Sequence, residues 1–144
     1  MNIPQYVTIT EVQRVCKELG IRDWTNLSEL RVTLEEAKII QELVGGEARM
    51  IAVEDFRQGL EVELEHGTQF PDANVTNNHP ILTGMIVLAH LKEMLDYYAR
   101  LLVAELEGDL WKAFKAGDEK KVVRKYQMLL KARQDLSQRE NASS

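Results

Sequence analysis

The residues of this chain equipped for chemistry are its histidines and the carboxylates spaced around two of them. Glu63 and His66 stand three apart, as do His90 and Glu93, with Tyr97 one helical turn beyond. On a helix that spacing separates two side chains by about 60° around the axis, so each pair can reach a common point. A Glu-x-x-His pair is the element that helix-bundle di-metal proteins use to bring one carboxylate and one imidazole to a metal. The expected metal set is therefore Glu63, His66, His90 and Glu93. Carboxylate with imidazole suits zinc, iron or manganese better than copper(I). His90 lies in MIVLAHLKEML beside Ile86, Val87, Leu91 and Met94, so its ring is expected to be buried and to need a partner. Three readings stay open: a bound metal, histidines and glutamates that satisfy one another or cap a loop, and general acid–base catalysis. Whether the chain is an enzyme is open too. No P-loop, Rossmann, GxSxG or HExxH pattern is present, and no organic cofactor is indicated.

Helices must position these side chains. Thr8 or Thr10 can cap a first helix over about 10 to 19 that stops at Gly20. Thr33 and Glu36 have capping-box spacing ahead of a second over 34 to 44, closed by Gly45-Gly46. A third runs from 53 to 66 on the stripe Val53, Phe56, Leu60 and Leu64, with Gly67 as its stop. Pro80 suits the first turn of a long fourth helix that continues through DYYARLLVAELEG and bends near Gly108. A fifth follows Gly117 and Asp118. Strand-like alternation is absent, so the class is all-α: a small bundle of about five helices with one long central helix.

His66 and His90 pose a geometric problem. His90 comes some ten residues into its helix, about 15 Å along the axis at 1.5 Å per residue, so a short turn would hold the two apart. The connection HGTQFPDANVTNNHP is long for a helix joint. It either supplies the offset or folds back and places His79 near His66.

The whole chain, 144 residues with 44% hydrophobic and 28% charged, is expected to make one soluble domain. Its start, MNIPQYVTITEVQ, lacks a basic segment followed by an apolar one, which points to the cytoplasm. ILTGMIVLAHL is too short for the ~20 residues of a membrane span. The sequons at Asn74 and Asn141 are chance matches on that reading. Cys16, among Val12, Val15 and Leu19, reads as a small core hydrophobe. The net charge of -5 is uneven: residues 119 to 144 hold 7 basic and 3 acidic side chains (net +4), leaving 11 and 20 (net -9) before them. Such a basic helix beside an acidic body is an intramolecular or homo-oligomeric pairing surface in the first instance. Nucleic acid is not an expected partner, since the stripe has one aromatic residue, Tyr126, and no recognition module.

TLEEAKII, VEDFRQGLEVELEHG, NVTNNHPILTG and IVLAHLKEMLDYYARL, in that order, resemble the bacterial domain-of-unknown-function family 5661 over about residues 33–102. The resemblance implies no activity. It does imply that Glu65, His66, Asn74, Thr76, His90, Glu93, Tyr97 and Tyr98 belong to the family pattern, which adds Glu65, Asn74, Thr76 and Tyr97 as supporting residues, and His79 of the connecting loop completes the supporting set. Family members typically carry an acidic residue at the position of His79, which suits a helix cap better than a ligand. The organisation expected is thus one domain, 1–144: a family-like core at 33–107, an N-terminal helical addition at 1–32 and a basic helical extension at 108–144. Two functions fit it. The first is a helical protein with a His/Glu metal or polar site between two helices; the second is a helical interaction or homo-oligomerisation module without catalysis.

Overall fold

Thr8 and Thr33 start two helices in the same way. Thr8 Oγ1 accepts the Glu11 N–H at 3.1 Å and opens α1 (Ile9–Leu19), which Gly20 closes in the left-handed conformation. Thr33 Oγ1 accepts the Glu36 N–H at 3.1 Å, while the Glu36 carboxylate accepts the Thr33 N–H at 3.0 Å, at the head of α2 (Leu34–Val44). Both starts fall where the cap residues stand, because these bonds satisfy amides that a first helical turn leaves without partners. The computed structural model describes residues 6–142, so the first five residues of the segment MNIPQYVTITEVQ and Ser143 of the second sequon lie outside it.

Among the described residues there are six α-helices, one 3-10 turn (Gly46–Met50) and no strand. The all-α class holds, with one helix more than expected. The long helix from Pro80 is in fact two, α4 (Pro80–Glu93) and α5 (Tyr97–Lys115), and Gly108 lies inside the second without breaking it. The break is at residues 94 to 96. There the Tyr97 N–H turns back to the Met94 carbonyl at 3.1 Å, and Asp96 takes the N-cap position, its carboxylate engaging Arg100 at 2.7 Å. Apolar spacing that carries on from Leu91 to Tyr98 masks this restart in the sequence.

Helix α3 (Val53–Gln69) passes through Gly67 instead of stopping there. A Cβ at Gly67 would overlap Asn78 Oδ1 and come within 2.9 Å of Asn74 Nδ2, so glycine is required by side chains of the following loop and not by a turn. Gly117, by contrast, does have positive φ, and Asp118 Oδ1 accepts the Lys121 N–H at 2.9 Å to start α6 (Glu119–Ala142).

By its contacts the chain divides into two units, one up to Lys92 and one from Glu93 onward. The core of the first is built from Val12, Cys16, Trp24, Ile40, Phe56, Leu60, Leu64 and Val87, all essentially inaccessible to solvent. Burial pushes the Cys16 thiol above its ordinary pKa, consistent with a packing role. Helix α4 lies close to α2 at Gly84, where a Cβ would stand 2.7 Å from Ile40 Cγ2 and 2.8 Å from Val44 Cγ2. The buried Gln41 amide donates to the carbonyls of Ala48 and Ile51 at 2.8 and 2.9 Å, fixing the Gly45-Gly46 corner. Glu36 is 4% exposed. Its burial would raise the carboxyl pKa, but Arg22 at 2.6 Å and the Thr33 amide hold it below the usual value.

In the second unit α5 and α6 run antiparallel, as the pairs Asp109–Lys125, Glu107–Arg133 and Arg100–Glu140 show at 2.6, 2.6 and 2.8 Å. Leu106, Leu129 and Ala132 form its core. Part of the positive charge of the last helix is therefore answered within the chain, by acids of α5. No helix among the described residues is long and apolar enough to cross a membrane.

Candidate functional site

Glu63 is the centre of the histidine cluster. It projects from α3 with 15% of its side chain exposed, and an imidazole stands on either side of it. His90 Nε2, from α4, lies 3.6 Å from Glu63 Oε1; His66 Nδ1, one turn along α3, lies 3.9 Å from Glu63 Oε2. The axial offset between the histidines is thus bridged by one carboxylate, which takes its two oxygens to two helices. Loop residues 70 to 79 allow this, because a tight turn would have set α4 at a different height along α3.

The loop is held by its own amides. Asn74 Nδ2 donates to the Gly67 carbonyl at 3.1 Å and to Asn78 Oδ1 at 2.9 Å, Thr76 Oγ1 donates to Asn74 Oδ1 at 3.2 Å, and Asn77 Nδ2 reaches the Val7 carbonyl at 2.6 Å. Asn77 and Asn78 both have positive φ, at 47° and 61°, a region that asparagine enters more readily than most residues. Between this loop, the end of α3 and the start of α4 is a pocket of about 200 Å³. Glu63, His66, Asn74, Thr76 and the buried Thr83 supply its polar wall, and Phe70, Val75 and Ile86 its apolar one.

The expected site residues separate into groups. Glu63, His66 and His90 come together, and Asn74 and Thr76 join Glu63 and His66 around the pocket. Glu65 faces solvent on the opposite side of its helix. His79 caps α4: its carbonyl accepts the Thr83 N–H at 2.9 Å and its Nδ1 faces the Leu82 N–H at 3.4 Å, the duty an acidic residue would perform there. Burial lowers the pKa of His79. Glu93 is exposed at the last position of α4, and Tyr97 begins α5 with its ring edge-on to Tyr98 at 5.2 Å; both fall in the second unit. Thr83, Gly67 and Phe70 escape the sequence reading, since a threonine within an apolar run, a glycine near a helix end and a lone loop aromatic carry no spacing signal.

Among the described residues no group of three or more His, Cys, Asp or Glu side chains is arranged to hold a metal ion. Donors bound to one tetrahedral ion at about 2.1 Å would lie about 3.4 Å apart, so the 3.6 and 3.9 Å separations would need a side-chain adjustment to close on one.

The family model for "Protein of unknown function (DUF5661)" matches residues 12–107, two thirds of the chain. The chain belongs to this family. The match starts at residue 12, inside α1, earlier than the expected boundary near 33. It ends within α5 and leaves α6 outside. Every residue of the Glu63 cluster and its pocket lies inside the DUF5661 match. Comparison with curated proteins and with solved structures finds no match.

Proposed function

We propose that the DUF5661 core binds a small hydrogen-bonding molecule in the pocket beside Glu63, with His66 and His90 orienting that carboxylate toward it. The observation that carries this reading is the convergence of two imidazoles from two helices on one mostly buried carboxylate at a pocket wall. A volume of about 200 Å³ corresponds to roughly seven waters at their liquid spacing, which suits a short polyol, amine or amino alcohol and excludes a nucleotide. The Glu63 carboxylate oxygens, with Asn74 Oδ1 and Thr76 Oγ1 as further acceptors whose own donors are engaged within the loop, favour a ligand that donates hydrogen bonds, and Phe70 and Ile86 accommodate a short carbon frame. An imidazole beside a carboxylate also has the parts for moving a proton on such a ligand.

A second reading is supported by the donor set itself. Glu63, His66 and His90 are of the types that zinc, iron or manganese take, and both imidazoles stand within 4 Å of the Glu63 carboxylate. Calorimetric titration of tag-free, chelator-treated protein separates the two. Saturable binding of a polyol, amine or amino alcohol that Glu63→Gln weakens about tenfold or more supports the organic-ligand reading. Stoichiometric binding of zinc(II) or manganese(II), lost in His90→Ala, supports the metal. Neither response in wild-type protein would defeat both.

A further inference from the structure

The hairpin of α5 and α6 leaves open an apolar groove of about 560 Å³ with Trp111, Phe114, Tyr126 and Leu129 in its walls. Trp111 is 60% exposed, Phe114 65% and Tyr126 50%, although a surface helix ordinarily turns such a stripe inward. Trp111 and Phe114 stack at 5.9 Å between ring centroids, so the aromatic wall is preformed and would lose little side-chain freedom on being covered. We infer that this groove pairs two copies of the chain, face to face about a two-fold axis, as a four-helix arrangement of two α5–α6 hairpins.

Area and charge both select a second copy as the occupant. The exposed portions of Trp111, Phe114 and Tyr126, with those of Val123 and Leu130 alongside on α6, come to on the order of 500 Å² per copy. Two copies would cover ~1,000 Å² of apolar surface before any polar rim is counted, which approaches the lower bound of specific interfaces. The charges that line the groove are one acid and one base, Glu107 and Arg133, paired at 2.6 Å and each about half exposed. A nearly neutral lining has no excess charge with which to select an acidic peptide or a nucleic acid. A surface bearing one charge of each sign is instead complementary to its own two-fold image, in which Glu107 of each copy meets Arg133 of the other. Short helical hairpins reach a closed core by this kind of pairing. The surface is independent of the Glu63 pocket, and α6 lies beyond the family match.

The test is the mass of the full chain in solution by light scattering after gel filtration, over about a hundredfold range of concentration. The expected result is a shift toward twice the 16.5 kDa chain mass as concentration rises. The double variant Trp111→Glu with Phe114→Glu should weaken association about a hundredfold with unchanged helical circular dichroism, since aromatic anchors at an interface centre dominate its energy. Arg133→Glu should weaken it about tenfold, and adding Glu107→Arg should restore it, which also serves as the readout if the aromatic variant misfolds. A monomer at every concentration overturns the inference. So does a dimer that persists in the folded aromatic variant, or a mixed complex with an unrelated amphipathic helix that forms in preference to self-association.

Discussion

Glu36 does at residue scale what no helix-spacing rule describes. One buried carboxylate completes the capping box at Thr33, pairs with Arg22 at 2.6 Å and faces Trp24 Nε1 at 3.5 Å. Glu36→Ala should therefore cost about 2–4 kcal/mol in denaturant unfolding, because it removes a cap and leaves Arg22 without its carboxylate. Its pH dependence has a definite sign. The folded pKa lies below the ordinary 4.5, so the stabilisation is present above that value and is lost as pH falls from about 4.5 through the folded pKa. Glu36→Gln should flatten the acid limb of the stability profile; an unchanged limb would show that Glu36 is not its source. His79 acts earlier in the same descent. Burial holds its pKa below 6.5, so below that pH the unfolded chain takes up a proton that the folded chain resists, and stability falls. His79→Asp, which retains a capping oxygen, should remove this loss between pH 6.5 and 5 in thermal melts. The capping box was legible in the sequence from Thr33 and Glu36 alone. Arg22 was not, because its contact crosses 14 residues of irregular chain and follows no periodicity.

At the scale of elements, two glycines carry the packing. Gly84→Ala should destabilise the first unit by about 1–3 kcal/mol, since the new methyl meets the branched side chains Ile40 and Val44, which have few other rotamers. Gly67→Ala acts differently: it should displace Asn74 and Asn78 and loosen the loop while α3 stays helical, raising amide exchange at residues 73 to 79 above that of α3. Helix starts and stops marked by Thr8, Gly20, Thr33, Gly45, Gly117 and Asp118 were legible because caps act through bonds made within a few residues. The end of α3 and the restart at Asp96 were not. One depends on a loop folding back over Gly67, and the other interrupts a hydrophobic stripe that runs past it unbroken.

For the molecule as a whole, the split between an acidic body and a basic last helix turns out to be partly internal, through Lys125–Asp109 and Arg133–Glu107. Charge reversal at Lys125 should lower the melting temperature more at low salt than at high, as the pair is partly sheltered but not fully buried. Of the expected site, the pairing of Glu63 with His66 was visible as helix spacing, while the arrival of His90 at the same carboxylate depended on where the long loop places α4. Glu93 and Tyr97 share the His90 register in sequence but fall in the second unit. Glu63 is the proposed organising group of a ligand pocket within the DUF5661 core. The most direct measurement is a two-dimensional amide spectrum of the wild-type chain titrated with the polyol, amine and amino alcohol set. The expected result is saturable shifts confined to the signals of residues around Glu63, His66, Gly67, Asn74, Thr76 and Thr83, absent in Glu63→Gln at equal thermal stability. Shifts that survive Glu63→Gln, or that centre elsewhere on the chain, would contradict it.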